Sequence, residues 1–518
     1  MIDWLAVRHW GLRAALAILA GVATALGFQP YGWWPLLLVG VAGLSVVVLA
    51  CRRVRGAAGL GLAFGSGFLL LGLGWMQAIF VEAMFGLVAV EALFFCLLGA
   101  LIKIAACTRW WPVLAAACWT AVEFTYSRFP FNGFGWLRIG YAMVDSPLAW
   151  VLPLIGVAGL GFFTALLGQG IAWVAASPSA RRLLTVTAVL GAVLALAGAG
   201  TLVPPGQQVG TVNAGYVQGG APGGGVYGLG EARTITRNHV AETFRLADRL
   251  AAGEVARPDF VVLPENTTDM DPYTDAVTGG LVRAAVARIG VPALLGVILD
   301  GPGPDERQTA SLWWDPAAGE LSRYIKRGIV PFGEWVPLRS LLLPLIPALK
   351  FVGAQSIAGT VPGAMPVTLP DGRATTLGIM ICYDLVYDDF AADTVIDGGQ
   401  VLVVQSSNAM YQGTGQIQQQ FAITRARALE LRREILVVTT SGVSGLINAD
   451  GTVAFTLPEH VGASGVVTLP QRNGVTPAAL LAGWLELAVV LVALLGLGAQ
   501  LAYGRMARNA PPRNWRRE

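Results

Sequence analysis

The sequence predicts a polytopic α-helical membrane protein of eight transmembrane helices that carries one α/β domain on the extracytoplasmic side of the bilayer. Three observations lead there. Of 518 residues 55% are hydrophobic and 13% charged, with a mean hydropathy of +0.61, too apolar for a water-soluble chain of this size. Apolar stretches near the ~20 residues that cross a bilayer recur along the chain. Between the last two of them the composition reverts to ordinary charge density with repeated strand-then-helix patterning.

Seven spans come first: Leu12 to Phe28, Trp34 to Ala50, Ala57 to Phe80, Ala83 to Ala106, Trp111 to Tyr126, Leu148 to Ala175 and Leu183 to Leu202. An eighth, Ala478 to Tyr503, follows the polar segment. The first lacks a cleavage motif and is closely followed by others, so it reads as an anchor and not as a removed signal. The cations Arg8 and Arg13, Arg52 to Arg55, Lys103 and Arg109, Arg181 and Arg182, and Arg505 to Arg517 fall on alternate loops. By the positive-inside rule those loops and both termini are cytoplasmic. A net charge of +3 is too small to point to nucleic acid. The expected organisation is a membrane domain over 1–206, an extracytoplasmic α/β domain over 207–477, and a last helix with a basic cytoplasmic tail over 478–518.

Within the polar segment, Val209 to Val217, Asp259 to Leu263, Pro292 to Leu299, Ala310 to Trp314, Leu321 to Ile325, Leu377 to Ile381, Val401 to Gln405 and Ile435 to Thr440 read as strands. Glu231 to Ala252, Ala276 to Ile289, Leu385 to Ile396 and Gly415 to Arg433 read as helices. Gly219 to Gly225 lacks the strand and helix that frame a phosphate-binding loop, and reads as a flexible connection. Inside the spans, Glu82 and Arg128 lie near the outer ends and reach water, whereas Glu91 lies deeper and is expected to pair within the bundle. Gly61 and Gly65 read as points of close helix packing.

The chemistry concentrates at strand ends. Cys382 ends the apolar run Leu377 to Ile381, just where a helical pattern begins, so its thiol would be lifted clear of the sheet beside backbone N–H groups. A buried core cysteine is the plainer reading of any one thiol. Of the five cysteines, however, Cys382 alone lies in the exported domain, where an unpaired thiol is a liability unless its chemistry is used. A nucleophilic thiol needs a base, and none of the three histidines, His9, His239 and His460, sits in a motif. Glu265 follows the strand Phe260-Val-Val-Leu-Pro and could be desolvated there, although a solvated loop carboxylate fits as well. Lys326 is one of three lysines among 35 basic residues and stands directly before an arginine, which suggests that a compact ammonium is needed, as for a thiolate or an oxyanion. Glu334 could orient Lys326 or Glu265, or be an ordinary surface glutamate.

Pro264-Glu265, Tyr324-Ile-Lys326, Val330-Pro-Phe-Gly-Glu334-Trp-Val-Pro337, Ile381-Cys382-Tyr383-Asp384, Ser407-Asn408 and Arg425-Ala-Arg-Ala-Leu-Glu430 together resemble the nitrilase superfamily. With the membrane spans, nearly the whole chain resembles the apolipoprotein N-acyltransferase family. The resemblance implies an α-β-β-α sandwich, a Glu-Lys-Cys triad at Glu265, Lys326 and Cys382, and supporting roles for Glu334, Tyr383, Asp384 and Asn408. Asp384 stands where the family usually has Glu, and Gly135 in Asn132-Gly-Phe-Gly-Trp136 stands where it has Pro. The implied reaction moves a fatty acyl chain from a phospholipid through a Cys382 thioester to the N-terminal amine of a diacylated apolipoprotein. No metal or other cofactor is implied, and a monomer in the bacterial inner membrane is expected. Leu338 to Val352, too apolar for an exposed loop and too proline-broken for a span, reads either as a lid dipping into the outer leaflet or as ordinary packing on the sheet. A membrane-tethered amidase would use the same triad with water as acceptor. A transporter or binding scaffold would need the triad to be accidental and charges paired on discontinuous mid-membrane helices, a pattern the spans lack.

Overall fold

The structure, a computed structural model, describes residues 9–225 and 227–509. Arg8 and the tail cations Arg513, Arg516 and Arg517 lie outside the described residues. Seven helices come first: α1 Trp10–Ala25, α2 Trp34–Leu49, α3 Val54–Gly72, α4 Val81–Ala105, α5 Trp111–Tyr126, α6 Leu152–Ala176 and α7 Ala180–Thr201. Prolines in the first turns of α2, α5 and α6 use positions where no N–H is needed, and the Ser179 side chain caps α7. Helices α3 and α4 meet at glycines: a Cβ on Gly61 would stand 3.0 Å from Gly99 Cα, and one on Gly65 2.7 Å from Phe95 Cβ. The backbones can approach this closely only without side chains.

The rest of the chain forms β1 Gln207–Gln218, α8 Thr234–Ala251, β2 Phe260–Val262, α9 Ala276–Ile289, β3 Ala293–Asp300, β4 Glu306–Asp315, β5 Gly319–Ile325, α10 Arg339–Leu345 and β6 Gln355–Ser356. It continues through β7 Ala364–Thr368, β8 Ala374–Ile381, α11 Asp388–Ile396, β9 Val401–Ser406, α12 Gly415–Leu431, β10 Ile435–Thr439, β11 Gly445–Ile447, β12 Val453–Thr456 and β13 Ala463–Asn473. The short α13 Pro477–Leu481 and the long α14 Trp484–Asn509 close it. One sheet runs β13-β1-β2-β3-β4-β5 with β6 beside β4, and the other β12-β11-β10-β9-β8-β7.

The two-residue period of the strands decides what each sheet touches. Phe260, Val262, Leu377, Ile379, Ile381, Val401, Val403, Leu436 and Val438 fill the space between the two sheets. Val261, Leu263, Ala293 and Leu295 face outward onto Leu246 of α8 and Val282 and Val286 of α9. Met380, Leu402, Val404, Ile435 and Val437 face the other way, onto α11 and α12. The result is helix, sheet, sheet, helix. The second helical layer is continuous with the membrane helices, for its residues and those of α1 to α7 form a single buried apolar cluster.

Among the described residues five helices are long and apolar enough to cross a membrane: Val54–Gly72, Val81–Ala105, Pro147–Ala176, Ala180–Thr201 and Trp484–Ala502. The first, second and fifth expected spans fold as helices of 16 residues, about 24 Å at ~1.5 Å per residue. The eight expected strands all form. Five more were not singled out, among them β13, whose Pro470, Gln471 and Arg472 break any apolar alternation although it pairs along the length of β1. Gly219 to Gly225, expected as a flexible loop, is fastened by Gly220 N–H to Thr440 O and Gly225 N–H to Met410 O, each at 2.8 Å. Glu91 is buried and, contrary to the expectation that it pairs within the bundle, has no salt-bridge partner among the described residues, while the buried Arg138 pairs with Asp388 and Glu486. Arg128 reaches solvent as expected and also pairs with Glu486 at 2.8 Å.

Candidate active site

Strand β8 delivers Cys382 to the edge of the inter-sheet core and ends there. The chain then turns through a 3-10 helix, Cys382–Val386, and only at Asp388 becomes α11, because Tyr387 is extended. Cys382 itself has φ +49°, a left-handed conformation that a non-glycine residue adopts under strain and that clusters at functional turns. Asp384 holds the turn. Its carboxylate accepts from Ile381 N at 2.9 Å, Gly328 N at 2.6 Å and the Tyr324 hydroxyl at 2.9 Å. Burial pushes the Asp384 carboxyl up, opposed by those hydrogen bonds and by Lys326.

Lys326, at the end of β5, is fully buried. Its Nζ donates to Glu265 Oε1 and to Glu334 Oε1, each at 2.8 Å. Burial opposes its charge, but Glu265, Glu334 and the sulfur of Cys382 outweigh that and hold the ammonium well above the ordinary lysine range. The free oxygens are used too: Glu265 Oε2 accepts from Ser407 N at 2.9 Å and Glu334 Oε2 from Val330 N at 2.8 Å. Both carboxylates are thereby aimed. Burial pushes the Cys382 thiol up, as do Glu265 and Glu334, while Lys326 and a hydrogen bond from Gln420 pull it down. A half-buried sulfur thus sits in the field of one ammonium and two carboxylates, among groups that can take a proton, return it and face a developing oxyanion.

Tyr383 is held mainly by ring packing, with its hydroxyl donating to Gly133 O at 3.4 Å. Its ring stacks on Phe134 and Trp136, with centroids 5.7 and 6.2 Å away, so the loop between α5 and α6 supports the residue after the thiol. A Cβ on Gly135 of that loop would lie 2.6 Å from Ser127 Oγ, so the glycine fits a close chain approach. Asn408 is buried with φ +53° and turns the chain away just past the Ser407 N–H that meets Glu265; its Oδ1 has no hydrogen-bond partner.

Several residues of the site were not identified from sequence. Gln420 Nε2 donates to Cys382 Sγ at 3.4 Å and to Ser406 Oγ at 3.0 Å. Beside it, Gln419 accepts from the indoles of Trp75 and Trp136 and donates to Gln29 O and Gly72 O. The glutamine-rich opening of α12, Gln416-Ile-Gln-Gln-Gln420, was the available signal. Arg427 donates to Leu385 O at 2.8 Å and Val386 O at 3.3 Å and pairs with Asp388 and Glu430. Arg138 clamps Asp388 with two 2.9 Å bonds and Glu486 with a third. This buried network ties the turn after Cys382 to the loop between α5 and α6 and to the start of α14.

Residues 20–170 match the Apolipoprotein N-acyltransferase N-terminal domain, and residues 259–468 match Carbon-nitrogen hydrolase. An apolipoprotein N-acyltransferase of Mycolicibacterium smegmatis is 31% identical, over 84% of this chain and 76% of its own. The chain belongs to the apolipoprotein N-acyltransferase family. Family members named the same way in Haemophilus influenzae and Bordetella bronchiseptica are 25% and 29% identical over 95% and 96% of this chain and 96% and 98% of theirs. Among solved structures, an amidase from Nesterenkonia sp. AN1 shares 16% identity over 52% of this chain and 92% of its own, with a TM-score of 0.37. The sandwich described above is the nitrilase-like fold of this family, attached to several helices able to cross a membrane.

Proposed function

We propose that this chain transfers a fatty acyl group from a membrane phospholipid to the N-terminal amine of a diacylated apolipoprotein, with Glu265, Lys326 and Cys382 as the catalytic triad. Glu265 takes the thiol proton as Sγ attacks an ester carbonyl. Lys326 and the backbone N–H of Tyr383 face the oxyanion. The ester C–O bond breaks, the lysophospholipid leaves with the proton from Glu265, and Cys382 carries a thioester. The α-amine then attacks, Glu265 accepts its proton, the C–S bond breaks and the thiol is restored as an amide forms. Glu334 holds Lys326, Asp384 holds the nucleophile turn, Tyr383 braces it, and Asn408 shapes the turn that sets Ser407 against Glu265.

The observation that carries this reading is the Lys326 ammonium held between Glu265 and Glu334 beside Cys382, on a sheet whose helical layer is fused to apolar helices. Both substrates are lipids, and each CH₂ withdrawn from the bilayer costs about 0.8 kcal/mol, so the thiol works at the membrane surface. In this reading the five long apolar helices and the three of 16 residues all cross the bilayer, with both termini cytoplasmic, 1–206 and 478–518 as the membrane portion and 207–477 as the extracytoplasmic catalytic domain of a monomer. The segment from Arg339 to Val352 acts as a lid. It folds as α10 and a 3-10 turn over its own small core of Val336, Leu349 and Val352. Phe351 reaches Phe80 at the mouth of α4, with ring centroids 5.7 Å apart.

The test is the intact mass of the detergent-purified chain after incubation with a phospholipid of defined acyl chains, beside Cys382→Ala. One added acyl mass on the parent only, discharged by a diacylated lipopeptide, is expected. An adduct lost to water and never passed to the peptide would instead establish an amidase-like hydrolase.

A further inference from the structure

We propose that Gln420 is a further catalytic residue, whose side-chain amide donates to Sγ of Cys382 and stabilises the sulfur as a thiolate both when it attacks and when it is expelled. The inference rests on Cys382 being the nucleophile. Three observations on α12 and its surroundings support it.

The first is a contrast between neighbours. Gln419 and Gln420 are both buried. The Gln419 amide is saturated, with two indole donors on Oε1 and two carbonyl acceptors on Nε2, and fastens α12 to the membrane helices. Gln420 is engaged only through its donor end, to Cys382 Sγ and Ser406 Oγ, and its Oε1 has no partner. A buried amide oxygen without a donor calls for an explanation, and a role of the side chain in chemistry is one.

The second is the accounting of donors around the sulfur. The Lys326 ammonium is directed onto Glu265 and Glu334, two negative charges against its one. The Gln420 N–H is a side-chain donor that reaches Sγ directly at 3.4 Å, within sulfur hydrogen-bond range. A thiolate is purely an acceptor, so this bond strengthens as the proton leaves and persists when the same thiolate departs from the acyl carbon.

The third is rigidity. Ser406 ends β9 and receives the second N–H of the same amide, so the amide bridges the ends of β8 and β9. The donor is already in place, and no reorganisation accompanies the charge change.

The experiment is the pH profile of Cys382 alkylation by iodoacetamide on the full-length chain in detergent, read by peptide mass at Cys382, together with acyl loading from a defined phospholipid. In Gln420→Met, of similar length and without a donor, the inflection moves up by about one unit and alkylation at neutral pH falls about tenfold. Gln420→Glu keeps the shape, replaces the donor with a charge and moves the inflection further the same way. Gln419→Leu removes an equally buried amide one residue away, lowers stability and leaves the inflection in place. A profile unchanged in either folded Gln420 variant, or shifted equally in Gln419→Leu, overturns the proposal. The nucleophile reading fails separately, if the parent chain never takes up an acyl group at Cys382.

Discussion

Replacing Arg138 by methionine is the most direct test of how the membrane helices support the nucleophile turn. Arg138 is buried and makes three 2.9 Å bonds, two to Asp388 and one to Glu486. Methionine keeps most of the volume and removes the charge. Two buried carboxylates then lose a partner, which on isolated pairs costs about 3–5 kcal/mol. Each retains one: Asp388 still meets Arg427 at 2.7 Å, and Glu486 meets Arg128 at 2.8 Å. Arg128, however, is 36% exposed and its pairing is weakened by water, so the expected loss lies at the low end, about 3 kcal/mol. For a folded unit of this size, with an unfolding entropy near ~2.1 cal/mol/K per residue, that lowers the thermal midpoint by roughly 3 °C. Unfolding of a large membrane protein is read best as an apparent midpoint at fixed scan rate. Adding Glu486→Gln to Arg138→Met removes the buried carboxylate that is left with only the water-weakened Arg128 pairing and recovers part of the loss, a coupling the double-mutant cycle isolates. A midpoint within about a degree of the parent, or no recovery in the double variant, would refute the account of this network as a clamp.

Three other outcomes follow from the same geometry. His239 is fully buried, its Nδ1 lies 2.8 Å from Ile235 O, and burial holds its pKa down to about 4, against ~6.5 unfolded. The folded chain stays neutral there while the unfolded chain takes a proton, so stability is intact above pH 7 and falls between pH 6.5 and 4, by up to about 3 kcal/mol. His239→Leu flattens that slope in urea titrations across the window, and an equally steep variant would contradict the assignment. Asp384→Asn can keep an acceptor oxygen for Ile381 N and the Tyr324 hydroxyl but then sets its amide N–H against Gly328 N, costing about 2–3 kcal/mol and slowing acyl loading of Cys382; unchanged loading and melting would mean that the carboxylate does not organise the turn. On the lid, Leu341 and Leu345 are 59% and 69% exposed, whereas Leu342 packs against the lid's own core. The double change Leu341→Asp, Leu345→Asp leaves the fold intact and reduces loading from vesicles of phosphatidylglycerol and phosphatidylethanolamine; equal loading removes the lid idea.

Much of this architecture was legible because it is written locally. The helices able to cross a membrane announce themselves by apolar length, and the strands Leu377 to Ile381 and Val401 to Gln405 by nearly continuous apolar runs that two buried faces require. Glu265 and Cys382 are legible for a related reason, since each stands where an apolar strand stops, whereas Lys326, at the end of a mixed strand, stands out as one of three lysines among 35 basic residues; strand ends are where side chains can meet at the rim of a sheet. Strand β13 was not legible, since its partner β1 lies more than two hundred residues earlier and supplies the pairing its own sequence lacks.

A helical membrane protein with an α/β domain is readable from neighbouring residues, because hydropathy and strand periodicity are local properties, and the motifs around Glu265, Lys326 and Cys382 mark those three as candidates for the chemistry through their family resemblance. Only the tertiary structure decided what holds those residues. Arg138, Asp388, Arg427, Glu430 and Glu486 read one at a time as ordinary charges, and Gln419 and Gln420 as two alike glutamines. Their roles exist only across separations such as the 250 residues between Arg138 and Asp388 or the 38 between Gln420 and Cys382. Burial makes each of these polar groups depend on a particular partner, and the partner is chosen by the packing of the sandwich on the membrane helices.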